Sequence, residues 1–363
     1  MFSRLACFVF TIINWLTPKH SNKVLFCCFP DFDDMLRGML PYVNESVVVL
    51  VKNETDIRPS WLPYEIRVVK KRSFSGVFHI ITSKKIYYTH GLYSFFKPLN
   101  IKRQYVVNLW HGMALKNIGR LDGKKSVPKA HRTLCTSPLF KEIHAKAFEM
   151  NINDVLISGL PRNDILLMKT KNQVLMNIKS KYDKCYVWLP TYRKSSFGDV
   201  RVDGESSSIF GFDDFDYLKL NEMLKSKNQL LLIKPHPMAK LANFNVKLSN
   251  VIVIQEDWLT EKNLSLYELL SISDSLWTDY SSVFVDYLIV KKPILFIVPD
   301  KENYKANRGF TFDTQKYPLP GTEITTQESL FSIIDKGIKP INIDSAIFNT
   351  VSKFKYEMLK NYE

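Results

Sequence analysis

The chain has 363 residues, 45% hydrophobic and 24% charged, with a mean hydropathy of -0.12; this excludes a disordered chain and a polytopic membrane protein, and the length suits two cores better than one. Fifty Lys and Arg against 36 Asp and Glu give a net charge of +14, which favours anionic partners such as phosphate-bearing substrates or an acidic lipid surface. The lysines are spread without a dense basic tract, so a nucleic-acid partner is not expected.

The first feature in the chain is Leu5 to Leu16, LACFVFTIINWL. It falls short of the roughly 20 apolar residues that a membrane span needs. No A-x-A-type cleavage site follows, so a removed signal peptide is not expected. Two readings remain: a helix packed on the first domain, or an interfacial helix. Phe2, Phe8 and Trp15, flanked by Arg4 and Lys19, suit an acidic lipid surface. The five cysteines, Cys7, Cys27, Cys28, Cys135 and Cys185, are odd in number and form no CxxC. They read as reduced residues of a cytoplasmic protein, neither a disulfide framework nor a zinc site.

Apolar runs then predict strands at Lys23 to Phe29, Val47 to Lys52, Ile86 to Thr89, Tyr105 to Trp110, Arg132 to Thr136 and Val155 to Ser158. Helical spacing over Pro138 to Met150 completes a strand–helix–strand unit, the mark of a parallel sheet. A second series has strands at Tyr186 to Leu189, Leu230 to Ile233, Val251 to Ile254, Ser275 to Thr278 and Pro293 to Val298, with helices at Phe215 to Ser226 and Ser265 to Ile272. Two successive series predict two doubly wound domains, residues 1–170 and 171–345. The polar stretch 194–214 reads as a long functional loop. The tail 346–363 has helical spacing and is expected to pack back on the first domain.

Five motifs follow strand ends, where open α/β sheets bind ligands. Trp110-His111-Gly112 offers an imidazole for proton removal and a glycine for a sharp turn; the plainer reading is a histidine satisfying a loop carbonyl. Gly159 to Asp164 and Pro190 to Arg193 each present an arginine suited to phosphate, or a turn with a solvated arginine. Lys234-Pro235-His236-Pro237 is a stiffened turn that can turn Lys234 and His236 toward a phosphate oxygen. Thr278-Asp279-Tyr280-Ser281-Ser282 precedes a helical run, Val283 to Val290, and serves as an anion site or an ordinary cap. The Asp-x-Asp triplets, Asp31-Phe32-Asp33 and Asp214-Phe215-Asp216, can hold a divalent metal but are common as caps. No GxxxxGK[ST], GxGxxG or HExxH occurs.

In this order the motifs resemble the CDP-glycerol glycerophosphotransferase family, the teichoic acid and capsule polymer enzymes. Trp110-His111-Gly112, with Leu115-Lys116 and Ile118-Gly119, is similar to W-H-G-T-P-L-K-x-I-G. Gly159 to Asp164 is similar to G-x-P-R-N-D, and Pro190 to Arg193 to P-T-[WY]-R. Ile272 to Asp286 is similar to I-S-D-x-x-x-T-D-Y-S-S-x-x-x-D, and Tyr304 with Arg308-Gly309-Phe310 to Y-x-x-x-R-G-F. The match runs from about 105 to 320, so the first 100 residues are not carried by it. Two departures stand out: Met113-Ala114 replaces Thr-Pro, and Lys234 stands where R-x-H-P has arginine, exchanging a bidentate phosphate contact for a point charge.

The resemblance implies a GT-B-like α/β fold, two Rossmann-type doubly wound domains facing a cleft. It implies no required metal and a CDP-linked polyol donor, CDP-glycerol or a related CDP-polyol. An acceptor hydroxyl of a lipid-linked or polymeric phosphate-containing acceptor attacks, and CMP leaves. His111 is then the expected base. His236 with Lys234 is expected to offset charge on the diphosphate, and Ser281 and Ser282 to hold phosphate oxygens. Pro190, Thr191 and Arg193 are expected near the nucleotide. Gly112, Arg162, Thr278, Asp279, Asp286 and Arg308 complete the expected donor-binding set. A peripheral enzyme on the inner face of the cell membrane fits the basic charge and apolar N-terminus. The alternatives are a GT-B glycosyltransferase with a nucleotide-sugar donor, and a non-catalytic scaffold of a polymer assembly complex.

Overall fold

A computed structural model describes residues 2–52, 58–91, 102–191, 210–212, 214–235, 248–340 and 345–360, and leaves the side chains of residues 2–7, 256, 307 and 308 undescribed. Two compact units form. The first holds residues 1–111, 123–165 and 350–363; the second holds 112–122 and 166–349. The division is therefore not a single cut at 170. A strap, Gly112–Asp122, belongs to the second unit although it lies between strands of the first.

The first unit is built on strands β1 (His20–Cys27), β2 (Ser46–Val51), β3 (Arg67–Lys70), β4 (Ser83–Tyr88), β5 (Tyr105–Asn108), β6 (Arg132–Cys135) and β7 (Val155–Ile157). They form one sheet in the order β3-β2-β1-β4-β5-β6-β7, with parallel pairing throughout. A parallel sheet covered on both faces needs continuous apolar runs rather than alternation. The stretch Val24 to Cys27 supplies one, fully buried along its length. Its core joins Leu25, Cys27, Val48, Leu50, Val69, Ile80, Ile86, Tyr88 and Val106.

The second unit has β8 (Lys184–Leu189), β9 (Gln229–Ile233), β10 (Val251–Val253), β11 (Ser275–Thr278), β12 (Ile294–Ile297) and β13 (Thr322–Ile324). Their order is β10-β9-β8-β11-β12-β13, again parallel. The core is aromatic: Trp188, Trp277, Phe210, Phe212, Phe215 and Phe331 pack together. Phe210 stacks on Trp188 at 5.4 Å. This corrects the reading of 194–214 as one polar loop. Its end is a core plug, each large ring burying about 1.5–3 kcal/mol of apolar surface, while 192–209 lie outside the described residues.

Both sheets reverse strand order at their first strand. β1 lies between β2 and β4, and β8 lies between β9 and β11. Such switch points open a crevice at the carboxyl ends of the strands.

Described segments near both termini pack on the first unit. The helix Phe2–Leu16 buries Asn14, whose amide donates to Gln104 Oε1 at 3.0 Å. Lys19 closes the helix by donating to the Asn14 carbonyl in its last turn, and also donates to the carbonyls of Thr17 and Ile81. Phe8, Val9, Ile12, Ile13, Trp15 and Leu16 stay exposed, so the helix rests on the first unit and keeps an open apolar face. No helix among the described residues is long and apolar enough to cross a membrane. Among its described residues the tail is mostly irregular chain, with a turn at Ser345–Ile347 and a short helix at Glu357–Lys360. It is anchored by buried Val351, Phe354 and Leu359, by Tyr42 packing on Phe354 and Tyr356, and by hydrogen bonds. Thr350 N–H donates to Thr136 O, Lys355 N–H to Ser158 O, and Phe354 N–H to Asp164 Oδ1 at 2.9 Å.

Candidate functional site

At the first switch point, Thr89 follows β4 and is fully buried. Its hydroxyl accepts the Phe29 N–H at 3.0 Å, binding the end of β1 to the end of β4. The same hydroxyl lies 3.0 Å from His90 Nδ1, and the Thr89 carbonyl lies 3.3 Å from His111 Nδ1. A carbonyl only accepts, so that contact puts the proton of neutral His111 on Nδ1 and its basic lone pair on Nε2. The His90 and His111 rings stack with centroids 3.7 Å apart and planes 7° from parallel. Trp110 lies 3.9 Å from His111 and meets Phe148 edge-on at 4.7 Å.

The turn that delivers His111 is strained. Trp110 has φ +56, an unfavourable region for a bulky residue that costs roughly 1–2 kcal/mol. Asn108 holds it there by accepting the Trp110 N–H at 3.0 Å. Gly112 follows at φ +128, where a side chain would be strained. Arg162 belongs to the first unit. Desolvation first, then the positive charges of Arg162, Lys124 and Lys71, lower the His90 pKa to about 4. Beside Arg162, Asp164 accepts the Tyr42 hydroxyl at 2.5 Å as well as the tail, so it braces the scaffold.

At the second switch point a carboxylate does the joining. Asp279, fully buried after β11, accepts the Thr191 N–H at 3.0 and 2.9 Å and the Thr191 hydroxyl at 2.8 Å. It also accepts the Tyr280 N–H at 2.7 Å. Pro190 and Thr191 are thus held at the mouth of β8. Thr278 gives its hydroxyl to Leu189 O at 3.2 Å. Lys234, after β9, is buried and its N–H donates to Trp188 O. Tyr280 stacks on Tyr304 at 3.7 Å and donates to Asp300 at 2.9 Å.

Ser281 and Ser282 lead into a helix of only five residues, Val283–Tyr287, extended by a 3-10 turn at Leu288–Val290. Ser282 makes no side-chain cap there. Asp286 is fully buried and accepts the Tyr267 hydroxyl at 2.5 Å. It ties the helix Leu266–Ile272 to the helix Val283–Tyr287. Arg308 ends the helix Lys301–Arg308. The strap pairs beside it: Lys116 bridges Phe310, and the Thr311 hydroxyl donates to Ala114 O at 2.7 Å. Gly309 makes this approach possible, because a Cβ there would sit 2.3 Å from Asn117 Nδ2. His236, Arg193 and the Arg308 side chain lie outside the described residues.

One acid of each triplet caps a helix, Asp33 and Asp216, and Asp31 ties a loop. Asp33 accepts the Leu36 N–H at 2.9 Å, Asp31 the Lys52 N–H, and Asp216 the Lys219 N–H at 2.8 Å. Among the described residues no group of three His, Cys, Asp or Glu is placed to hold a metal. Four cysteines are described, all buried and free. The sequence reading passed over Thr89 and His90. The signal was there: His90-Gly91 directly follows a buried strand, the pattern that singled out His111-Gly112.

Two parallel sheets, each gathering its hydrogen-bonding and basic groups where strand order reverses, define a two-unit doubly wound α/β protein of the kind that holds phosphate-bearing ligands at strand ends. The family model described as CDP-Glycerol:Poly(glycerophosphate) glycerophosphotransferase matches residues 9–353, and the chain belongs to that family. It is 28% identical to the teichoic acid poly(ribitol-phosphate) polymerase of Bacillus spizizenii, over 88% of this chain and 52% of that one. It is 26% identical to the teichoic acid poly(glycerol phosphate) polymerase of the same organism, over 97% and 92%. The chain thus spans about half of the first relative and nearly all of the second. The solved structure of the wall teichoic acid polymerase TagF superposes with a TM-score of 0.69 at 21% identity, over 92% of this chain and 84% of that one. At that identity the likeness is one of fold, the GT-B-like pair of Rossmann-type units expected from the motifs.

Proposed function

We propose that the protein transfers a polyol phosphate, glycerol phosphate in the first instance, from a CDP-polyol to an acceptor hydroxyl of a membrane-linked or teichoic-acid-type polymer. The acceptor oxygen attacks the phosphorus that bears the polyol. A new P–O bond forms, the bond to the bridging oxygen breaks, and CMP leaves. His111 Nε2 takes the acceptor proton. Lys234 and His236 offset the charge gathering on the departing phosphate. Pro190, Thr191 and Arg193 hold the nucleotide, and Ser281 and Ser282 the phosphate oxygens. No metal is required in this scheme.

The observation that carries the reading is the His111 imidazole, whose Nδ1 faces a backbone carbonyl so that Nε2 is the basic nitrogen. Family membership supplies the substrate class. The test is incubation of the purified protein with CDP-glycerol, CDP-ribitol and nucleotide-sugars, with an acceptor polymer. CMP release with a product heavier by one polyol phosphate is expected. Release of a nucleoside diphosphate from a sugar donor replaces this reading with a glycosyltransferase. No nucleotide release from any donor leaves a scaffold.

The N-terminal helix is proposed to lie on an anionic membrane, on the inner face of the cell membrane. Its outward face carries Phe8 and Leu16, each 63% exposed, together with Trp15. Phe8→Ser with Trp15→Ser is expected to weaken sedimentation with anionic vesicles while soluble-acceptor turnover persists. Unchanged sedimentation removes the anchor.

A further inference from the structure

We infer that His90 is a positioning residue for His111: stacked on it and held through Thr89, it keeps the His111 ring turned with Nδ1 on the Thr89 carbonyl and Nε2 as the basic nitrogen. A histidine ring turns about its Cβ–Cγ bond over a broad range when nothing limits it. A half-turn of His111 would place carbon where Nδ1 now meets the carbonyl. Two neighbours resist that rotation. The His90 ring lies flat against it at 3.7 Å, and the Trp110 ring lies 3.9 Å away. His90 and Trp110 are themselves 6.3 Å apart.

His90 is anchored in turn. Phe29 meets its ring edge-on at 5.3 Å. The Thr89 hydroxyl accepts from Phe29 N–H and has its own proton left to offer His90 Nδ1. Thr89 therefore holds both imidazoles, one through its side chain and one through its carbonyl. The low pKa of His90 keeps that ring neutral, so it does not oppose a proton arriving on His111. The three cations acting on it, Arg162, Lys124 and Lys71, all belong to the first unit.

The inference rests on the transfer reading only in its kinetic arm. His90→Phe keeps a flat ring; His90→Leu and His90→Ala remove it. With nitrogen-15 labelled histidine and His111→Gln to assign the signal, the protein and His90→Phe should show His111 protonated on Nδ1 at neutral pH. His90→Leu and His90→Ala should show mixed tautomers. In turnover, the two ring-less variants should lose about tenfold in kcat with donor KM within about twofold, and His90→Phe should restore most of kcat. An unchanged His111 tautomer in both ring-less variants overturns the inference, whether or not CMP is released. So does a kcat loss that His90→Phe fails to repair. Absence of CMP release by the unsubstituted protein overturns the transfer reading instead, and the nitrogen-15 spectra still decide the role of His90.

Discussion

The two switch points share a topology and differ in how they are tied. In the first unit, rings meet rings: Phe29, His90, His111 and Trp110 form a run of contacts at the ends of β1, β4 and β5. In the second, the Asp279 carboxylate gathers three donors from the mouths of β8 and β11. Stacked rings are held by area and shape, so an imidazole there can exchange its proton without breaking the structure. A buried carboxylate with three bonds cannot change charge cheaply. The first arrangement suits a group that titrates during turnover. The second suits a rigid seat for a nucleotide.

Substitutions can break this comparison. The largest effect is expected for His111→Ala, a loss of at least about 100-fold in turnover with folding retained; His236→Ala is expected to do the same. Near-normal CMP release in both would remove the assigned roles. Asp279→Ala strands the Thr191 and Tyr280 donors and should lower stability by about 3 kcal/mol in urea titration. A smaller loss than that of Thr191→Val would show that Asp279 is not the tie.

Acid should also separate the units. Six of the seven histidines, at 20, 79, 90, 111, 131 and 144, lie in the first unit. His144 is fully buried against Leu134 O at 2.9 Å, and burial lowers its pKa from 6.5 to about 4. The unfolded chain takes up this proton first as pH falls, so the contribution is full above about 6.5 and fades toward 4, reaching about 3 kcal/mol. The urea midpoint should fall over that window, and fall less in His144→Leu. Coincident slopes would refute it. The smallest effect is expected for Tyr267→Phe, about 1–2 kcal/mol from the bond lost to Asp286. A neutral result would mean Asp286 is not held by that hydroxyl.

The interior strands were legible because each is a buried apolar run. Ser275–Thr278 was read with its observed bounds. The edges β3, Arg-Val-Val-Lys, and β13, Thr-Glu-Ile, were missed. They are short and bear charge, as exposed edges do. The helix Val283–Tyr287 was legible as a helical run, but its change to a 3-10 turn at Leu288 is set by packing. His111, Thr191 and Asp279 were each marked by position after a strand. That Asp279 would turn inward to Thr191, and Asp286 to Tyr267, depends on partners 88 and 19 residues away, respectively, which no local pattern records. The strap at 112–122 was read only as motif; its allegiance to the second unit comes from pairing with Phe310 and Thr311, nearly two hundred residues on.

The returning tail has a consequence for how the protein is made. The first sheet is translated early, yet Thr136 O, Ser158 O and the Asp164 carboxylate receive their donors from Thr350, Lys355 and Phe354. While the ribosome is still reading the second unit, those acceptors face water. A chain stopped by a nonsense codon before residue 350 therefore leaves the earlier-made first sheet unfinished, and such a fragment should be cleared by cellular proteases through damage far in sequence from the missing segment.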